Sequence, residues 1–472
     1  MISEHLQRLK YIAGDFVTTN IAWLAYNCMR YELNVVLGGY SSLERFLTSS
    51  SVLVGQLVFP IIMMIVFSLS GYYNEVFRKS RLHELFTTMW SSVIASLLLF
   101  FIALINDLSL ERALDYEMIF LLFATIFTCV YSVRLCITSV TSHRIKNRKW
   151  SFRTLIVGSG AAAVAFGNKL DNMKSSLGYK IMGYVSIPNE NDVKGLSLPC
   201  YQLDDIADVC QQEAIQELIV VPTKQDSETV LNTINHLYSL NLPIKIAPDR
   251  LNVLLSQVRI SDMVGDPLVD VSRGNMGESG KNIKRLIDIV VSAIVLLVLL
   301  PVYVIVALLV KLDSKGPVFY SQERIGYHNK PFMIYKFRSM VCNAEEEGTP
   351  QLSSDNDPRI TKLGHVLRKY RIDELPQFWN VVRGDMSLVG PRPERQFYID
   401  EIVKRVPSYA LLRQVRPGIT SLGMVKFGYA QNVDEMVERL RYDLLYLENM
   451  SLLNDFKIMV YTVKIVFTGR GM

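Results

Sequence analysis

Residues Asn356–Glu394 read NDPRITKLGHVLRKYRIDELPQFWNVVRGDMSLVGPRPE, and they say more about this chain than any other stretch. Two adjacent carboxylates, Asp373 and Glu374, stand there among many cations. Those cations are Arg359, Lys362, Arg368, Lys369, Arg371, Arg383 and Arg392. Carboxylates in a basic surround suit an anionic substrate that is held by positive charge, with a metal or a nucleophile at the centre. An Asp-Glu pair taken alone is more often a solvated helix face, so the interpretation depends on this context.

Outside that stretch the chain is unusually apolar. It has 472 residues, of which 50% are hydrophobic and 20% charged, and its mean hydropathy is +0.22. This length predicts two or three domains. Each apolar run in the first 150 residues is close to the roughly 20 residues that a spanning helix needs. The runs are Tyr11–Met29, Val52–Ser70, Leu85–Ile105 and Met118–Leu135. We therefore predict a four-helix transmembrane bundle over residues 1–150, the alternative being buried core helices of a soluble protein.

Cations flank these runs asymmetrically. They precede the first run, separate the second from the third and follow the fourth, at Arg8, Lys10, Arg78, Lys79, Arg81, Arg144, Lys146, Arg148 and Lys149. Because such flanks stay on the cytoplasmic side, both ends of the bundle are predicted to face the cytoplasm. The net charge of +5 fits contact with anionic lipid headgroups and not a nucleic-acid interface. The scattered cysteines predict neither disulfides nor a zinc site.

The residues that follow the bundle alternate short buried strands with helical segments. The predicted strands are Thr154–Val157, Ile181–Ser186, Glu217–Val221 and Pro243–Ala247. This alternation predicts a parallel α/β sheet, and we assign residues 151–270 to a Rossmann-like cytoplasmic domain. The turn Gly158–Ala163 has the glycine spacing of a dinucleotide-binding loop, but no acid follows the second strand to bind a ribose. A nucleotide-binding domain and a purely structural one both stay open.

A further apolar run, Ile289–Val310, is long enough to span a membrane. Pro301 lies near its middle, where it removes a backbone hydrogen bond and kinks or breaks a helix. Cations lie on both sides of the run, at Lys281, Lys284, Arg285, Lys311, Lys315 and Arg324. Basic flanks at both ends predict a re-entrant helix over residues 283–312 that returns to the same face, with Pro301 at its break. The alternative is a single proline-kinked span.

From about Lys281 to Met472 the chain resembles the bacterial sugar transferases, the monotopic phosphoglycosyl transferases. The motifs that carry the resemblance are Lys336–Met340, Asn356–Thr361, Leu367-Arg368, Asp373–Gln377, Gly384–Pro393 and Arg416–Thr420. The larger family members also have four amino-terminal spans and a Rossmann-like domain. The resemblance therefore implies an integral membrane α bundle, an α/β Rossmann-like domain and an α/β catalytic domain (residues 281–472) anchored by a re-entrant membrane helix.

The resemblance also implies a reaction. Family members move a sugar 1-phosphate from a UDP-sugar onto undecaprenyl phosphate, and UMP is released. By the match to the family motif, Asp373 is expected to be the nucleophile, and Glu374 is expected to help hold Mg²⁺. Covalent catalysis divides one difficult displacement into two easier ones, and Mg²⁺ prefers carboxylate, water and phosphate oxygens.

Further positions match family residues expected to bind the substrate, namely Lys336, Arg338, Arg368, Pro391, Arg392 and Pro393. Arginine forks suit phosphate oxygens. Two alternatives stay open. Arg338 and Arg371 equally suit structural ion pairs, and the two prolines equally suit a rigid turn around Arg392.

The implied location is the bacterial inner membrane, with a multi-pass chain and an active site that faces the cytoplasm. The implied pathway step is the start of capsule, exopolysaccharide or O-antigen synthesis. Glucose, galactose and an N-acetylated amino sugar all stay open as the transferred sugar, and so does a homo-oligomer. A membrane-anchored dehydratase or epimerase is disfavoured because the chain has no Tyr-x-x-x-Lys spacing. A catalytically silent scaffold or regulator of polysaccharide assembly is the remaining alternative.

Overall fold

The computed structural model describes residues 4–33, 40–77, 79–106, 112–173, 175–187, 198–221, 227–238, 240–247, 269–270, 276–341, 357–428 and 430–468. Two compact units are present. The first contains residues 1–151, 174–178 and 277–283, and the second contains residues 152–173, 179–276 and 284–472. Residues 248–268 and 271–275, where we predict the end of the middle domain, lie outside the described ranges, as does Asn356. The division into three domains stays a prediction.

Helices make up the amino-terminal part of the first unit. They are α1 (Glu4–Glu32), α2 (Leu43–Leu47), α3 (Ser50–Leu69), α4 (Arg81–Asn106) and α5 (Arg112–Lys146). Within the described residues, three segments of these helices are long and apolar enough to cross a membrane, namely Ser50–Leu69, Arg81–Leu99 and Glu117–Lys146. They coincide with the second, third and fourth apolar runs, which supports the predicted membrane association.

The first apolar run forms α1 as expected, but within the described residues α1 is not among the helices that are apolar enough to be candidate spans. Polar residues within the run, such as Asp15, Asn20 and Asn27, lower its hydropathy, and Asp15 and Asn27 are buried. The described part of residues 1–150 therefore has three candidate spanning helices, and the bundle of four stays a prediction.

One buried ion pair joins α1 to α5. The Arg134 guanidinium donates to both Asp15 oxygens, over 2.8 Å to Oδ1 and 2.6 Å to Oδ2. The Tyr73 hydroxyl donates to the same carboxylate at 2.8 Å, and Thr88 Oγ1 accepts from Arg134 at 2.9 Å. The side chains of Arg134 and Asp15 are 0% and 1% exposed. Because buried charges need partners, this network fixes how α1, α4 and α5 pack.

A six-stranded sheet forms the middle part of the chain, and it belongs to the second unit. Its strands are β1 (Phe152–Val157), β2 (Tyr179–Ser186), β3 (Cys200–Gln202), β4 (Glu217–Val220), β5 (Ile244–Ile246) and β6 (Val269–Asp270). Their order is β3-β2-β1-β4-β5-β6, parallel except for the antiparallel edge strand β6. The intervening helices are α6 (Ala161–Asp171), α7 (Ile206–Gln212) and α8 (Ser227–Tyr238). The predicted parallel α/β sheet is confirmed, and the predicted strands coincide with β1, β2, β4 and β5.

The carboxyl-terminal part begins with two helices, α9 (Glu278–Val298) and α10 (Leu300–Asp313), which are bent by 62° at Leu299. Pro301 lies in the first turn of α10, where a proline costs no hydrogen bond. The hairpin of β7 (Phe319–Ile325) and β8 (Pro331–Phe337) follows, and β9 (Ser387–Val389) pairs in parallel with β10 (Gly418–Thr420). The remaining helices are α11 (Lys362–Lys369), α12 (Gln377–Arg383), α13 (Gln396–Arg405), α14 (Leu422–Lys426), α15 (Val433–Glu448) and α16 (Leu452–Thr468).

Candidate active site

The acidic pair lies in a short 3-10 turn, Ile372–Glu374, between α11 and α12. Arg371 enters this turn in the left-handed region, with φ 54°, which is uncommon for a residue other than glycine. Both carboxylates are buried, Asp373 at 6% exposure and Glu374 at 4%. A left-handed residue before two buried acids is a costly arrangement, and such arrangements persist where the surrounding structure imposes them.

Glu374 is surrounded by cations. Its Oε1 lies 3.0 Å from Lys336 Nζ on β8 and 3.7 Å from Arg392 Nη1. Its Oε2 lies 3.9 Å from Arg371 Nη1. Burial alone would raise the pKa of Glu374, but Lys336, Arg392 and Arg371 together hold this pKa well below its usual range. Glu374 is therefore held in its ionised form, and its carboxylate lies close to cations from β8, from the acidic turn and from the loop that carries Arg392.

Asp373 has a different environment from its neighbour. Among the described residues, no side chain forms a hydrogen bond or a salt bridge with its carboxylate. Burial raises the pKa of Asp373 above its ordinary value, Lys336 opposes this rise and the adjacent Glu374 adds to it. The turn thus holds one carboxylate paired with cations and one that is buried without a hydrogen-bonded or ion-paired side chain among the described residues, and such strongly perturbed pairs are common at functional sites.

Helix α10 packs against the acidic turn and the end of β8. The Tyr303 hydroxyl donates to the carbonyl of Leu375, directly after the acidic pair, at 2.6 Å. Val306 and Val310 of the same helix pack with Phe337 at the end of β8. The second half of the bent helix pair is therefore part of the framework that positions the turn.

Charged side chains of helix α9 bind both the end of α12 and the Gly384–Pro393 segment. Asp288 accepts from the Ser387 hydroxyl at 2.7 Å and from the Leu388 amide at 3.1 Å. Lys284 donates to the Val389 carbonyl at 2.9 Å. Arg285 donates to the carbonyls of Val381 (2.7 Å) and Val382 (3.1 Å). The sequence predicts Lys284 and Arg285 only as basic flanks of a membrane segment, and the structure gives both of them packing partners as well.

Two glycines let the last two motifs meet. A Cβ on Gly390 would lie 2.3 Å from the Arg416 carbonyl oxygen, and one on Gly418 would lie 2.1 Å from the Gly390 amide nitrogen. The backbone pairing of β9 with β10 therefore leaves no room for a side chain at either position. Motifs that are about 30 residues apart in the chain become neighbours at the site.

The structure brings together some of the predicted substrate-binding residues. Lys336 and Arg392 both reach the acidic pair, as above. Arg368 lies close enough for its charge to lower the pKa of Asp373, and its Nε donates to Ser339 Oγ at 3.0 Å. Pro391 and Pro393 are buried on either side of Arg392.

Arg338 has a structural contact. Its Nη2 donates to the carbonyls of Val310 (3.2 Å) and Ser314 (2.5 Å) at the carboxyl end of α10. A guanidinium there satisfies the last carbonyls of a helix. This contact agrees with the structural alternative for Arg338, although its predicted substrate role is not tested by it. Pro301, the predicted break of the membrane segment, lies at the bend between α9 and α10 and is not part of the acidic turn.

The carboxylates of the acidic pair are oxygen ligands of the kind that Mg²⁺ prefers. No cluster of three or more His, Cys, Asp or Glu side chains suited to a metal exists within the described ranges. Mg²⁺, however, is commonly held by one or two carboxylates together with waters and substrate phosphates. Asp373 and Glu374 fit that mode, in which the substrate completes the coordination.

The described residues combine a buried carboxylate pair among cations with helices long enough to cross a membrane, an arrangement that suits a membrane-associated enzyme. The family model described as bacterial sugar transferase matches residues 279–469. A UDP-glucose:undecaprenyl-phosphate glucose-1-phosphate transferase of Caulobacter vibrioides is 40% identical over 187 residues, which are 39% of this chain and 70% of that protein. The chain belongs to the bacterial sugar transferase family, and the resemblance predicted from the motifs is confirmed.

Two further relatives carry different sugar names. A UDP-N-acetylgalactosamine-undecaprenyl-phosphate N-acetylgalactosaminephosphotransferase of Aeromonas hydrophila is 44% identical over 189 residues, 40% of this chain and 44% of that protein. A UDP-glucose:undecaprenyl-phosphate glucose-1-phosphate transferase of Klebsiella pneumoniae is 32% identical over 292 residues, 61% of this chain and 62% of that protein. The matched part therefore spans about half of the length of these two relatives.

Proposed function

We propose that this chain transfers a sugar 1-phosphate from a UDP-sugar to undecaprenyl phosphate. The observation that carries the proposal is the environment of the acidic turn, where a buried, unengaged Asp373 stands beside a Glu374 that holds Lys336, Arg371 and Arg392. Cations arranged in this way suit the charge of a nucleotide diphosphate. The names of the family relatives support the same donor and acceptor.

The proposed reaction has two displacements at one phosphorus. An oxygen of Asp373 attacks the phosphorus that bears the sugar, the bond to the bridging oxygen breaks, and UMP leaves with that oxygen. A phosphate oxygen of undecaprenyl phosphate then attacks the same phosphorus and releases the Asp373 carboxylate. The product is undecaprenyl diphosphate-sugar. Lys336 and Arg392 stabilise the charge that builds on the phosphoryl oxygens in both steps.

Magnesium belongs to the proposal, and Glu374 is the protein residue that would help to hold it. When bound, it offsets the charge of the diphosphate. We expect a chelator of divalent cations to stop UMP release and excess Mg²⁺ to restore it. Full activity in the presence of chelator would rule out the metal role of Glu374.

The raised pKa of Asp373 predicts a pH dependence. A carboxylate nucleophile must be ionised, and burial raises the pKa of Asp373 from 3.8 to about 6. We therefore expect kcat/KM for UMP release to fall about tenfold per pH unit below this value. Because the folded state binds this proton more tightly than the unfolded state does, the stability contribution of Asp373 is present below pH 3.8 and is lost as the pH rises towards 6. A rate that stays constant down to pH 4 would contradict this assignment.

The membrane arrangement is a part of the same proposal. A re-entrant pair α9–α10 returns to the cytoplasmic face of the bacterial inner membrane and keeps the catalytic domain at the leaflet where the nucleotide donor is found. The 62° bend at Leu299 supports this arrangement. The strand order of the middle sheet supports a Rossmann-like domain, whose ligand the proposal leaves open. The reaction would start the assembly of a capsule, exopolysaccharide or O-antigen.

The test is UMP release by the purified full-length protein with undecaprenyl phosphate, Mg²⁺ and a panel of UDP-sugars. The panel contains UDP-glucose, UDP-galactose and their N-acetylated amino-sugar counterparts. Release with one donor supports the reaction and names its sugar. If no donor releases UMP from folded protein in lipid, the proposal fails, and the silent scaffold becomes the better interpretation.

A further inference from the structure

The loop that carries Arg392 is held in place by residues that do not belong to the sequence motifs. Arg392 reaches Glu374 Oε1 at 3.7 Å, and its Nη1 contacts Met424 Sδ at 3.4 Å. Its side chain is 18% exposed, so it is partly open to solvent and also lies near the buried carboxylate. An arginine binds a phosphate well only if its backbone is fixed, since otherwise ordering the side chain cancels part of the gain.

Helix α15 fixes this backbone at two points. Arg439 forms a buried ion pair with Glu394, two residues after Arg392. The Arg392 backbone amide lies close enough to the Asp443 carboxylate to lower its pKa, and Asp443 also binds the segment that places Met424 beside Arg392. Because Arg439 and Asp443 are one helical turn apart, they lie on the same face of α15. That face therefore lies against the Pro391–Glu394 loop at Arg392 and again at Glu394.

Asp443 holds a second segment at the same time. Its Oδ1 accepts from the Gly423 amide at 3.0 Å, and the nearby Ser421 hydroxyl helps to lower its pKa. A Cβ on Gly423 would lie 2.9 Å from this oxygen and 2.7 Å from Arg439 Cγ, so the segment runs directly against α15. Asp443 is 3% exposed. A charge at this depth is costly unless donors surround it, and here the donors come from the two segments that place Arg392 and Met424.

We propose that Arg439 and Asp443 are positioning residues for the transfer reaction, and that they act by fixing the backbone of Arg392 relative to Glu374. The inference rests on the proposed function. Neither residue contacts the acidic pair, so their effect passes through Arg392. A shared carboxylate also keeps the Gly384–Pro393 and Arg416–Met424 segments in one register. Displacement of either segment would move the arginine from the phosphate that it binds.

Asp443→Asn tests the backbone part directly. The variant keeps the size of the side chain but loses its charge, and it turns an amide group towards donors. We expect amide hydrogen exchange at Arg392 and Gly423 to become at least about tenfold faster, because hydrogen bonds to a charged acceptor are lost. Asp434→Asn is the matched control, on the same helix with its side chain 85% exposed, and it should leave exchange at both amides unchanged. Unchanged exchange in Asp443→Asn would overturn the proposal.

A double-mutant cycle tests the catalytic part. We expect Asp443→Asn to lower kcat/KM for UMP release about 10- to 100-fold in the wild-type background. In an Arg392→Ala background the same substitution should cost less than about threefold, because residues that act through one another are not additive. Equal losses in both backgrounds would mean a general structural role and would contradict positioning through Arg392.

The two tests fail separately. If the wild-type protein releases no UMP from any donor, the proposed function is lost, but hydrogen exchange still decides whether Asp443 fixes the Arg392 amide. If the wild type is active and Asp443→Asn retains its kcat/KM, the positioning role is wrong and the proposed function stands. Thermal melting of each variant separates both results from unfolding.

Discussion

Asp373→Asn is expected to abolish UMP release while the protein stays folded. The substitution keeps the shape of the side chain but replaces the nucleophilic carboxylate by a neutral amide, at a position that no other side chain within the described residues binds through a hydrogen bond or a salt bridge. The remaining neighbours, Lys336 and Glu374, keep their 3.0 Å contact. We expect kcat/KM to fall at least about 10³-fold, the scale on which the loss of a nucleophile acts. UMP release and the covalent phosphosugar on the protein should disappear together.

The control for this prediction is Asp400→Asn on α13, whose carboxylate accepts an exposed hydrogen bond from the Gln396 side chain. That variant should keep the wild-type rate. The melting temperature of Asp373→Asn should be equal to or above that of the wild type, since a buried carboxylate with a raised pKa destabilises the folded state when it ionises. Robust UMP formation by Asp373→Asn would remove Asp373 from the mechanism.

Arg134→Leu is expected to have the largest effect on stability. The substitution leaves Asp15 buried without its ion-pair partner, and among the described residues its carboxylate then keeps one side-chain hydrogen bond, from the Tyr73 hydroxyl. Breaking a fully buried pair by removal of one partner costs about 3–5 kcal/mol of unfolding free energy. We expect a large fall in the melting temperature in detergent or lipid, and UMP release should decline with the folded fraction.

A second variant separates the ion pair from packing. In Arg134→Leu combined with Asp15→Leu both charges are removed, and the replacement of a whole buried pair by apolar groups is often close to neutral. We therefore expect the double variant to recover most of the lost melting temperature. Arg144→Leu, an exposed position on the same helix, should change it little. Equal destabilisation by the single and double variants would show that the loss comes from packing and not from an unpaired carboxylate.

Local sequence features predicted the elements of this protein well. The period of the apolar residues gave the strands β1, β2, β4 and β5 within a few residues, because alternation between buried strands and helices is written in neighbouring residues. The helix break near Pro301 follows from the missing amide of proline. The membrane-spanning character of the first helix was harder to predict. Its length resembles that of a spanning segment, and only the fold reveals that Gln7, Asp15 and Asn27 turn inwards.

The acidic pair and its arginines could also be found from the motif, but their different roles could not. Lys336 and Arg338 belong to one motif and are only two positions apart. Yet Lys336 reaches Glu374, and Arg338 caps the end of α10. In sequence both are cations beside a motif, so no local pattern distinguishes them. Asp288 and Asp443 gave no signal at all, since their partners are about 100 and 20 residues away.

By itself the sequence determined the class of this protein, the positions of most of its helices and strands, and the residues that we propose for the chemistry. Apolar periodicity, glycine and proline positions and charged motifs act over short distances along the chain. Only the tertiary structure decided which carboxylate stays unengaged, which cations surround its neighbour and which helix holds the arginine loop. These properties depend on burial and on contacts between distant segments, and burial sets the cost of each charge.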